Sequence, residues 1–251
     1  MAKPFPGSRI CDRDKAVNIN QLRSYLDSLV ESAKNADRKL LTARLSGLTS
    51  AFPFNEYEYI LMFLLDKRVI DFEKYEKLRN DYVSSNKYLE LYGLAPRVFG
   101  EIWAQEHLRD LDGRLIRAGK SSDPNYDGEY DLRIDSVRIE VKACRAINTK
   151  KRGGLESKAL GYGSAEPFWM NYQQIKPDAA DVFIFIGVWV DRLIYWVLSS
   201  RDVRDNRYLS HQHRGGIEYQ IGITDRNIHD FDDLKVDPSQ VAEAAIRKGK
   251  G

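Results

Sequence analysis

The first third of the chain carries apolar side chains at the three- and four-residue spacing of helices. Within residues 55–67 this spacing gives one apolar face, made of Tyr57, Ile60, Leu61, Leu64 and Leu65. The same reading predicts helices over residues 18–36, 37–48, 55–67 and 71–84. We therefore expect residues 1–95 to form a helical N-terminal subdomain, which is either a packing unit or an arm for dimerisation or DNA clamping.

Three helix starts carry local signals. Asn55 and Asp71 stand where an N-cap side chain accepts a backbone N–H, and Glu58 follows Asn55 at the spacing of a capping box. Pro96 is suited to the first turn of a further helix, because its missing N–H has no partner there anyway. That helix is predicted over residues 96–111.

Beyond residue 111 short runs of β-branched and aromatic residues replace the helical spacing. They predict strands over residues 114–117, 129–134, 137–144, 182–190, 193–198 and 218–224, with one helix over 168–176. The run at 182–190 is apolar on both alternating faces, which is typical of a strand buried in the middle of a sheet. Residues 96–251 are thus expected to form a mixed α/β domain.

Strict alternation of apolar and polar residues on both sides of residues 135–136 predicts a hairpin with a two-residue turn. In that register Asp131 lies opposite Glu140 on the polar face, with Cβ atoms about 5 Å apart. Lys142, two residues further along, points to the same face. The hairpin is therefore the place where candidate chemistry concentrates.

Two carboxylates this close repel each other unless a positive charge lies between them. Oxygen ligands without a neighbouring His or Cys favour Mg²⁺, or Mn²⁺, over zinc, and Lys142 could orient an attacking water. The alternative is a solvated face without chemistry, because the same register opposes Arg133 to Arg138 and Lys142 to Glu129, an ordinary salt bridge. The residues alone leave both readings open.

The segment resembles the core of the PD-(D/E)XK nuclease superfamily, in which an acid on one strand and Glu-x-Lys on the next bind metal beside the scissile phosphate. Asp131 matches the first acid, and Glu140 and Lys142 match the second pair, although Tyr130 rather than proline precedes Asp131. The resemblance implies a Mg²⁺ site made by Asp131, Glu140 and the Val141 carbonyl, with Lys142 positioning water.

The resemblance covers about residues 96–225, and the order of elements is similar to that of type II restriction endonucleases. Glu101 matches an additional acid that some members place near the metal, and Gln173 lies on the expected helix 168–176, from which a Gln or Lys can approach the site. The implied fold is α/β (α+β), a restriction-endonuclease-like mixed central sheet flanked by helices. The implied function is a restriction-modification endonuclease for double-stranded DNA; a repair or junction-resolving nuclease and a non-cutting DNA-binding module are the alternatives.

Two segments combine basic, amide and glycine residues in a way that suits DNA contact. The loop after the expected catalytic strand carries Lys150, Lys151 and Arg152, whose positive charges are available to phosphates. Residues 201–216 offer side chains that read guanine or adenine edges; the candidates are Arg204, Asn206, Arg207, His211, Gln212, His213 and Arg214. The two histidines lack a third ligand for zinc, so we expect them to contact phosphates or bases.

Composition limits the partners. With 39 basic and 37 acidic side chains the net charge is +2, so positive charge for DNA must be local. No apolar run approaches the length of a membrane span and the N-terminus lacks a secretory signal, so we expect a cytoplasmic, prokaryotic protein without membrane contact. Cys11 and Cys144 are too few for a disulfide framework. Symmetric duplex sites favour a homodimer.

Overall fold

The N-terminal part of the chain is helical, as its apolar spacing predicts. In the computed structural model, which describes residues 19–47, 56–212 and 217–250, the helices are α1 (Ile19–Ser32), α2 (Asn35–Ser46), α3 (Glu56–Asp66), α4 (Phe72–Ser85) and the short α5 (Glu90–Gly93). Asp71 caps α4 by accepting the Lys74 N–H at 2.8 Å. The predicted cap at Asn55 lies outside the described residues. The proposed boundary near residue 95 stays a prediction.

The helix predicted over residues 96–111 is present but contains a π-helical turn. Pro96 and Arg97 are helical, a π-helix covers Val98–Trp103, and α6 covers Ala104–Leu111. An aromatic column lines its inner side, because the Phe99 and Trp103 rings stack at 5.2 Å and Trp103 stacks on His107 at 5.2 Å. Such π-helical turns are frequent at functional sites.

A six-stranded sheet forms the centre of the molecule, in the order β1-β2-β3-β6-β7-β10. Only β3 and β6 pair in parallel, so the sheet is mixed. Every residue of β6 is buried, which confirms the predicted central strand. The strands are β1 (Ile116–Arg117), β2 (Leu132–Ile134), β3 (Val137–Arg145), β6 (Val182–Val188), β7 (Leu193–Ser199) and β10 (Lys235–Val236).

A second sheet has four strands, in the order β4-β5-β9-β8. Its strands are β4 (Ile147–Asn148), β5 (Phe168–Ile175), β8 (Leu209–His211) and β9 (Tyr219–Thr224). The helix expected over residues 168–176 is therefore wrong. Phe168, Met170 and Tyr172 are buried in strand alternation, and a register shift between Tyr172 and Ile175 then makes Ile175 the next buried residue. The three-residue step from Tyr172 to Ile175 breaks the strand period of two and fits the spacing of a helix.

The six-stranded sheet lies between a helical layer and the second sheet. Odd-numbered residues of β3 such as Ile139 belong to the core shared with the N-terminal helices and α9 (Val241–Gly249). Phe183 and Phe185 of β6 belong to the core shared with β5 and β9. The polar, even-numbered face of β3 consequently lies on the side of the second sheet. The expected mixed sheet flanked by helices is confirmed at this level.

The other described helices connect strands or close the chain. They are α7 (Leu155–Lys158), α8 (Ser200–Arg204), 3₁₀-helices Ile228–Leu234 and Pro238–Gln240, and α9. Ser199 and Asp202 form a capping box at the start of α8. Among the described helices none is long and apolar enough to span a bilayer.

Candidate active site

The β2–β3 hairpin has the predicted turn and register. Residues 135–136 form the turn, Asp135 takes a left-handed conformation with φ of 51°, and Ile134 pairs with Val137. The ladder ends at Leu132, so Asp131 lies just beyond it and donates its N–H to the Ile139 carbonyl at 3.0 Å. Asp131 is thus placed by the strand end and not by regular pairing with Glu140.

The Asp131 carboxylate is held from three directions. The Val141 N–H donates to its Oδ2 at 2.8 Å, and the Gln105 amide donates to its Oδ1 at 2.7 Å. The third neighbour is the Glu140 carboxyl, and the two groups shift each other's pKa. The two acids of the hairpin therefore meet, and Asp131 has a fixed orientation.

Lys142 completes the group. Its Nζ lies 2.6 Å from Glu140 Oε1, and the two side chains are 17% and 15% exposed. The salt bridge between Lys142 and Glu129 that belonged to the solvated-face alternative is not formed, because Lys142 pairs with Glu140 and Glu129 pairs with Lys176 at 3.3 Å. Glu140 and Lys142 are therefore largely enclosed, whereas the solvated-face alternative requires exposed charges.

The proton affinity of both acids reflects this enclosure. Burial raises the pKa of Glu140 to about 7, against the opposing charge of Lys142, and the negative charge of Asp131 adds to the rise. Burial also raises the pKa of Asp131, although the Val141 N–H and Lys142 favour its charged form. Two carboxyl groups sharing one buried space hold a proton between them more readily than two isolated groups.

The donor set fits a hard divalent cation. Because the N–H and C=O of one strand residue point to the same side, the Val141 carbonyl projects toward Asp131 together with its N–H. Two carboxylates and one carbonyl can bind Mg²⁺, which keeps several waters and takes phosphate oxygens as further ligands. Within residues 19–47, 56–212 and 217–250 no group of three or more His, Cys, Asp or Glu side chains is arranged for metal binding.

The helix over the site contributes two side chains of different kinds. Glu101, the predicted additional acid, is 58% exposed and pairs with Arg97 at 2.8 Å, yet its charge adds to the pKa rise of Asp131. Gln105, one helical turn later and 6% exposed, is the residue that contacts Asp131. Sequence reasoning missed Gln105, although its four-residue spacing from Glu101 is a usable signal.

Two further residues lie in the electrostatic neighbourhood of the acids. Arg117 Nε donates to Gln105 Oε1 at 3.3 Å, which extends the hydrogen-bond chain from Asp131 to β1. The pKa of Tyr126 is raised by burial and by the charges of Asp131 and Glu140. Neither residue was singled out from the sequence.

The basic loop after β3 is partly neutralised within the chain. Lys150 pairs with Glu166 at 3.2 Å, and Lys151 pairs with Glu56 of α3. Arg152 is exposed and has no ion pair among the described residues. The positive charge that this loop offers to a phosphate is therefore smaller than its sequence indicates.

The described part of the second segment predicted to contact DNA includes α8 and β8, and its side chains also have partners within the chain. Its described candidates have partners as follows: Arg204 with Asp178 at 2.7 Å, Arg207 with Asp230 at 2.5 Å, Asn206 with the Tyr208 N–H at 2.9 Å, His211 with the Tyr219 ring at 4.5 Å and Gln212 with the Gln174 N–H at 2.5 Å. His213 and Arg214 lie outside the described residues. Base contact by this segment would require several of these contacts to break.

A cleft of about 420 Å³ opens where the two sheets and the π-helix meet. Its lining residues are Pro96, Phe99, Gly100, Ala143, Cys144, Arg145, Ile147, Leu155, Trp169, Asn171 and Gln173. Gln173, predicted on a helix, lies instead on the β5 wall of this cleft. Cys144 is a free thiol whose pKa burial raises to about 11, and Cys11 lies outside the described residues.

No known family model matches the chain, and no curated protein sequence is significantly similar to it. The interpretation of the site consequently depends on its residues and their geometry.

Proposed function

We propose that this protein is a Mg²⁺-dependent endonuclease that hydrolyses double-stranded DNA at a specific short sequence, on a restriction-endonuclease-like fold. The observation that supports it is the enclosed group of Asp131, Glu140 and Lys142 beside an open cleft. Burying two like charges costs free energy unless a positive charge compensates them. Buried carboxyl groups with shifted pKa values are therefore found mostly where a cation binds or a reaction takes place. A surface ion pair would not require such enclosure.

The three residues have distinct roles in this proposal. Asp131, Glu140 and the Val141 carbonyl hold Mg²⁺, for which Mn²⁺ can substitute. When bound, the ion supplies a Lewis acid for phosphodiester hydrolysis. Lys142 orients the attacking water and offsets the charge that develops on the phosphate, an effect that is strong where bulk water is excluded. Glu101 is the additional acid near the metal in this proposal.

The side chains around the group prepare it for the reaction. Gln105 and the Val141 N–H fix both oxygens of Asp131, so that little reorganisation is needed when DNA arrives. Arg152, together with Lys150 and Lys151 once released from their acids, contacts phosphates. Attack of water on phosphorus breaks the bond to the 3′ oxygen and leaves a 5′-phosphate.

The test compares cleavage with binding. Glu140→Ala and Lys142→Ala should each lower the rate of supercoiled plasmid cleavage in Mg²⁺ by at least ~10²-fold, because preorganised charge is removed. A gel shift should still show binding, since Ile139 and Val141, which pack the opposite face of β3, are unchanged. Sequencing the fragment ends then shows whether cutting occurs at one recurrent sequence.

A matched pair on the surface provides the control. Glu129 and Lys176 form the same kind of ion pair at 3.3 Å with 43% and 36% exposure. Glu129→Ala and Lys176→Ala should cleave like the wild type. Near wild-type cleavage by Glu140→Ala or Lys142→Ala would contradict the proposed function.

We also propose that the protein acts as a homodimer, because a twofold protein meets a symmetric duplex site most simply. The N-terminal helices expose apolar side chains suited to self-association, among them Met62 at 43% and Phe72 at 66%. Sedimentation should show a dimer, free or on DNA, that Phe72→Glu weakens. A monomer under both conditions would exclude this assembly.

A further inference from the structure

The cleft adjoins the candidate site on the same face of the six-stranded sheet. Cys144 follows Lys142 by two residues on β3, a separation of about 6.6 Å along a strand, and its Sγ accepts the Asn171 N–H of β5 at 3.1 Å. On the next strand Phe185 pairs in register with Lys142, and Tyr172 of β5 stacks on Phe185 at 4.3 Å. β5 therefore lies beside the proposed catalytic group.

The cleft-facing side of β5 is neutral and rich in amides. Because Phe168, Met170 and Tyr172 are buried, the alternating residues Trp169, Asn171 and Gln173 project into the cleft. Trp169 is 49% exposed. This wall offers hydrogen-bond donors, acceptors and an aromatic ring without any net charge.

The amides differ in how far they are engaged. Asn171 Nδ2 donates to Gln220 Oε1 of β9 at 3.1 Å, which leaves the Asn171 Oδ1 to the cleft. Gln173 has no hydrogen-bond partner among the described residues and is exposed. Gln173 is consequently able to use both its amide N–H groups and its carbonyl toward a ligand.

A β-bulge ends the alternation of β5 at Gln173. The register between β5 and β9 shifts between Tyr172 and Ile175, and Gln174 takes a left-handed φ of 55°. The Gln212 side chain accepts the Gln174 N–H and so holds the bulge. Bulges next to active sites commonly re-aim a side chain, and a strained non-glycine residue persists where its surroundings impose it.

We propose that this wall is the base-reading surface of the enzyme, with Gln173 and Asn171 bonding base edges in the major groove and Trp169 contacting them through its ring. The inference rests on the proposed endonuclease function. An amide donates and accepts at once, which matches N6 and N7 of adenine. An amide can also bond a phosphate oxygen, but it lacks the charge that dominates affinity for phosphates, so its distinctive contribution is discrimination between bases. An adenine-containing recognition sequence is therefore expected.

The experiment measures selectivity in two ways. A randomised duplex library is cut in Mg²⁺ and its ends are sequenced, and the same library is selected for binding to Lys142→Ala, which is not expected to cut. The wild type should enrich one adenine-containing sequence. Gln173→Ala should relax preference at one base pair by about 10- to 100-fold, the loss expected for a bidentate base contact.

Gln174→Ala is the matched control, because it removes the same side chain from the next residue, which is also exposed but does not line the cleft. It should leave the preference unchanged. The inference is overturned if the library is cut at one sequence and Gln173→Ala keeps that preference, or if Arg204→Ala or Asn206→Ala relaxes it instead. Neither outcome contradicts the proposed endonuclease function.

Failure of the proposed function has a different signature. If the wild type cuts nothing while binding selection enriches a sequence that Gln173→Ala relaxes, the endonuclease is excluded and the reading surface stands. If neither cleavage nor enrichment occurs, both are excluded.

Discussion

The two sheets place polar groups in opposite ways. The six-stranded sheet encloses charges, since Glu140 and Lys142 are 15% and 17% exposed at their shared contact. The four-stranded sheet displays uncharged groups, since Asn171 and Gln173 line an open cleft and Trp169 is 49% exposed. Enclosed charge interacts strongly over short distances, whereas exposed amides interact by hydrogen-bond pattern. In the proposed endonuclease the first sheet would carry the reaction and the second would carry base recognition.

Glycines show the same contrast in packing. A Cβ built on Gly187 of β6 would lie 2.7 Å from the Trp196 ring and 2.9 Å from the Trp189 ring. A Cβ on Gly222 of β9 would meet Trp169 Nε1 at 3.5 Å, an ordinary contact. β6 thus has no room for a methyl group at Gly187, while β9 can take one at Gly222.

The largest expected effect on stability follows from this difference. Gly187→Ala forces two buried indole rings apart, and overpacking of this kind costs about 1–3 kcal/mol, occasionally more. In a chain of this size each kcal/mol lowers Tm by roughly 2–4 °C. Thermal unfolding followed by circular dichroism measures the shift. Gly222→Ala should change Tm by less than about 2 °C; equal losses for the two variants would contradict the contrast between the sheets.

The next effect in size is expected on activity, at Gln105, which orients Asp131. Gln105→Ala removes the amide that orients Asp131, and loss of such a partner typically costs about 10- to 100-fold in activity or metal affinity. Because Gln105 acts through Asp131, the Mg²⁺ concentration for half-maximal plasmid cleavage should rise. A Mg²⁺ titration of the initial rate measures this directly.

A substitution of similar shape separates the contribution of packing at Gln105 from that of its hydrogen bond. Gln105→Met fills the same 6% exposed position without a donor. If the hydrogen bond to Asp131 matters, Gln105→Met should need as much Mg²⁺ as Gln105→Ala. Recovery of the wild-type titration by Met would show that Gln105 only fills space.

The hairpin was predictable because its information is local. Alternation with period two and a two-residue turn fix which side chains share a face, and Glu140 and Lys142 follow from that alone. The sequence could not indicate that the ladder ends at Leu132, because this depends on the Ile139 carbonyl being taken by Asp131. The sequence therefore predicts that Asp131 and Glu140 lie close together, but not the geometry of their contact.

The state of the candidate DNA-contact residues was less predictable, because it depends on pairings with residues far away in the sequence. The positive charge assigned to Lys151 is met by Glu56, 95 residues away, and that of Arg204 by Asp178. The bulge between Tyr172 and Ile175 breaks the period of two in β5, which the sequence pattern alone does not reveal. Charge patterns along a chain indicate candidates, but only the fold shows which charges are already paired.

The smallest expected effect is on the free energy of unfolding, and it is seen by comparing one ion pair from each sheet. In the six-stranded sheet Asp181 accepts the Arg138 N–H at 2.9 Å and pairs with its guanidinium at 2.8 Å, where the side chains are 32% and 42% exposed. Beside the four-stranded sheet Asp178 pairs with Arg204 at 2.7 Å while 91% exposed. Although burial opposes it, hydrogen bonding to Arg138 lowers the pKa of Asp181 below 3.8. The first pair should therefore stabilise the fold measurably and the second should not.

The sign of the pH dependence follows from that lowered pKa. A carboxyl group with a depressed pKa in the folded state stabilises the protein above its unfolded pKa of 3.8 and loses that contribution as the pH falls through the folded value. Asp181→Asn should therefore cost about 1 kcal/mol at pH 7, after allowance for solvent screening. The deficit should hold down to about pH 5 and shrink below pH 3.8 as the wild type loses the same charge. Urea unfolding at pH 7, 5 and 3.5 measures it, with Asp178→Asn unchanged throughout; a deficit independent of pH would assign the effect to the shape of the side chain and not to its charge.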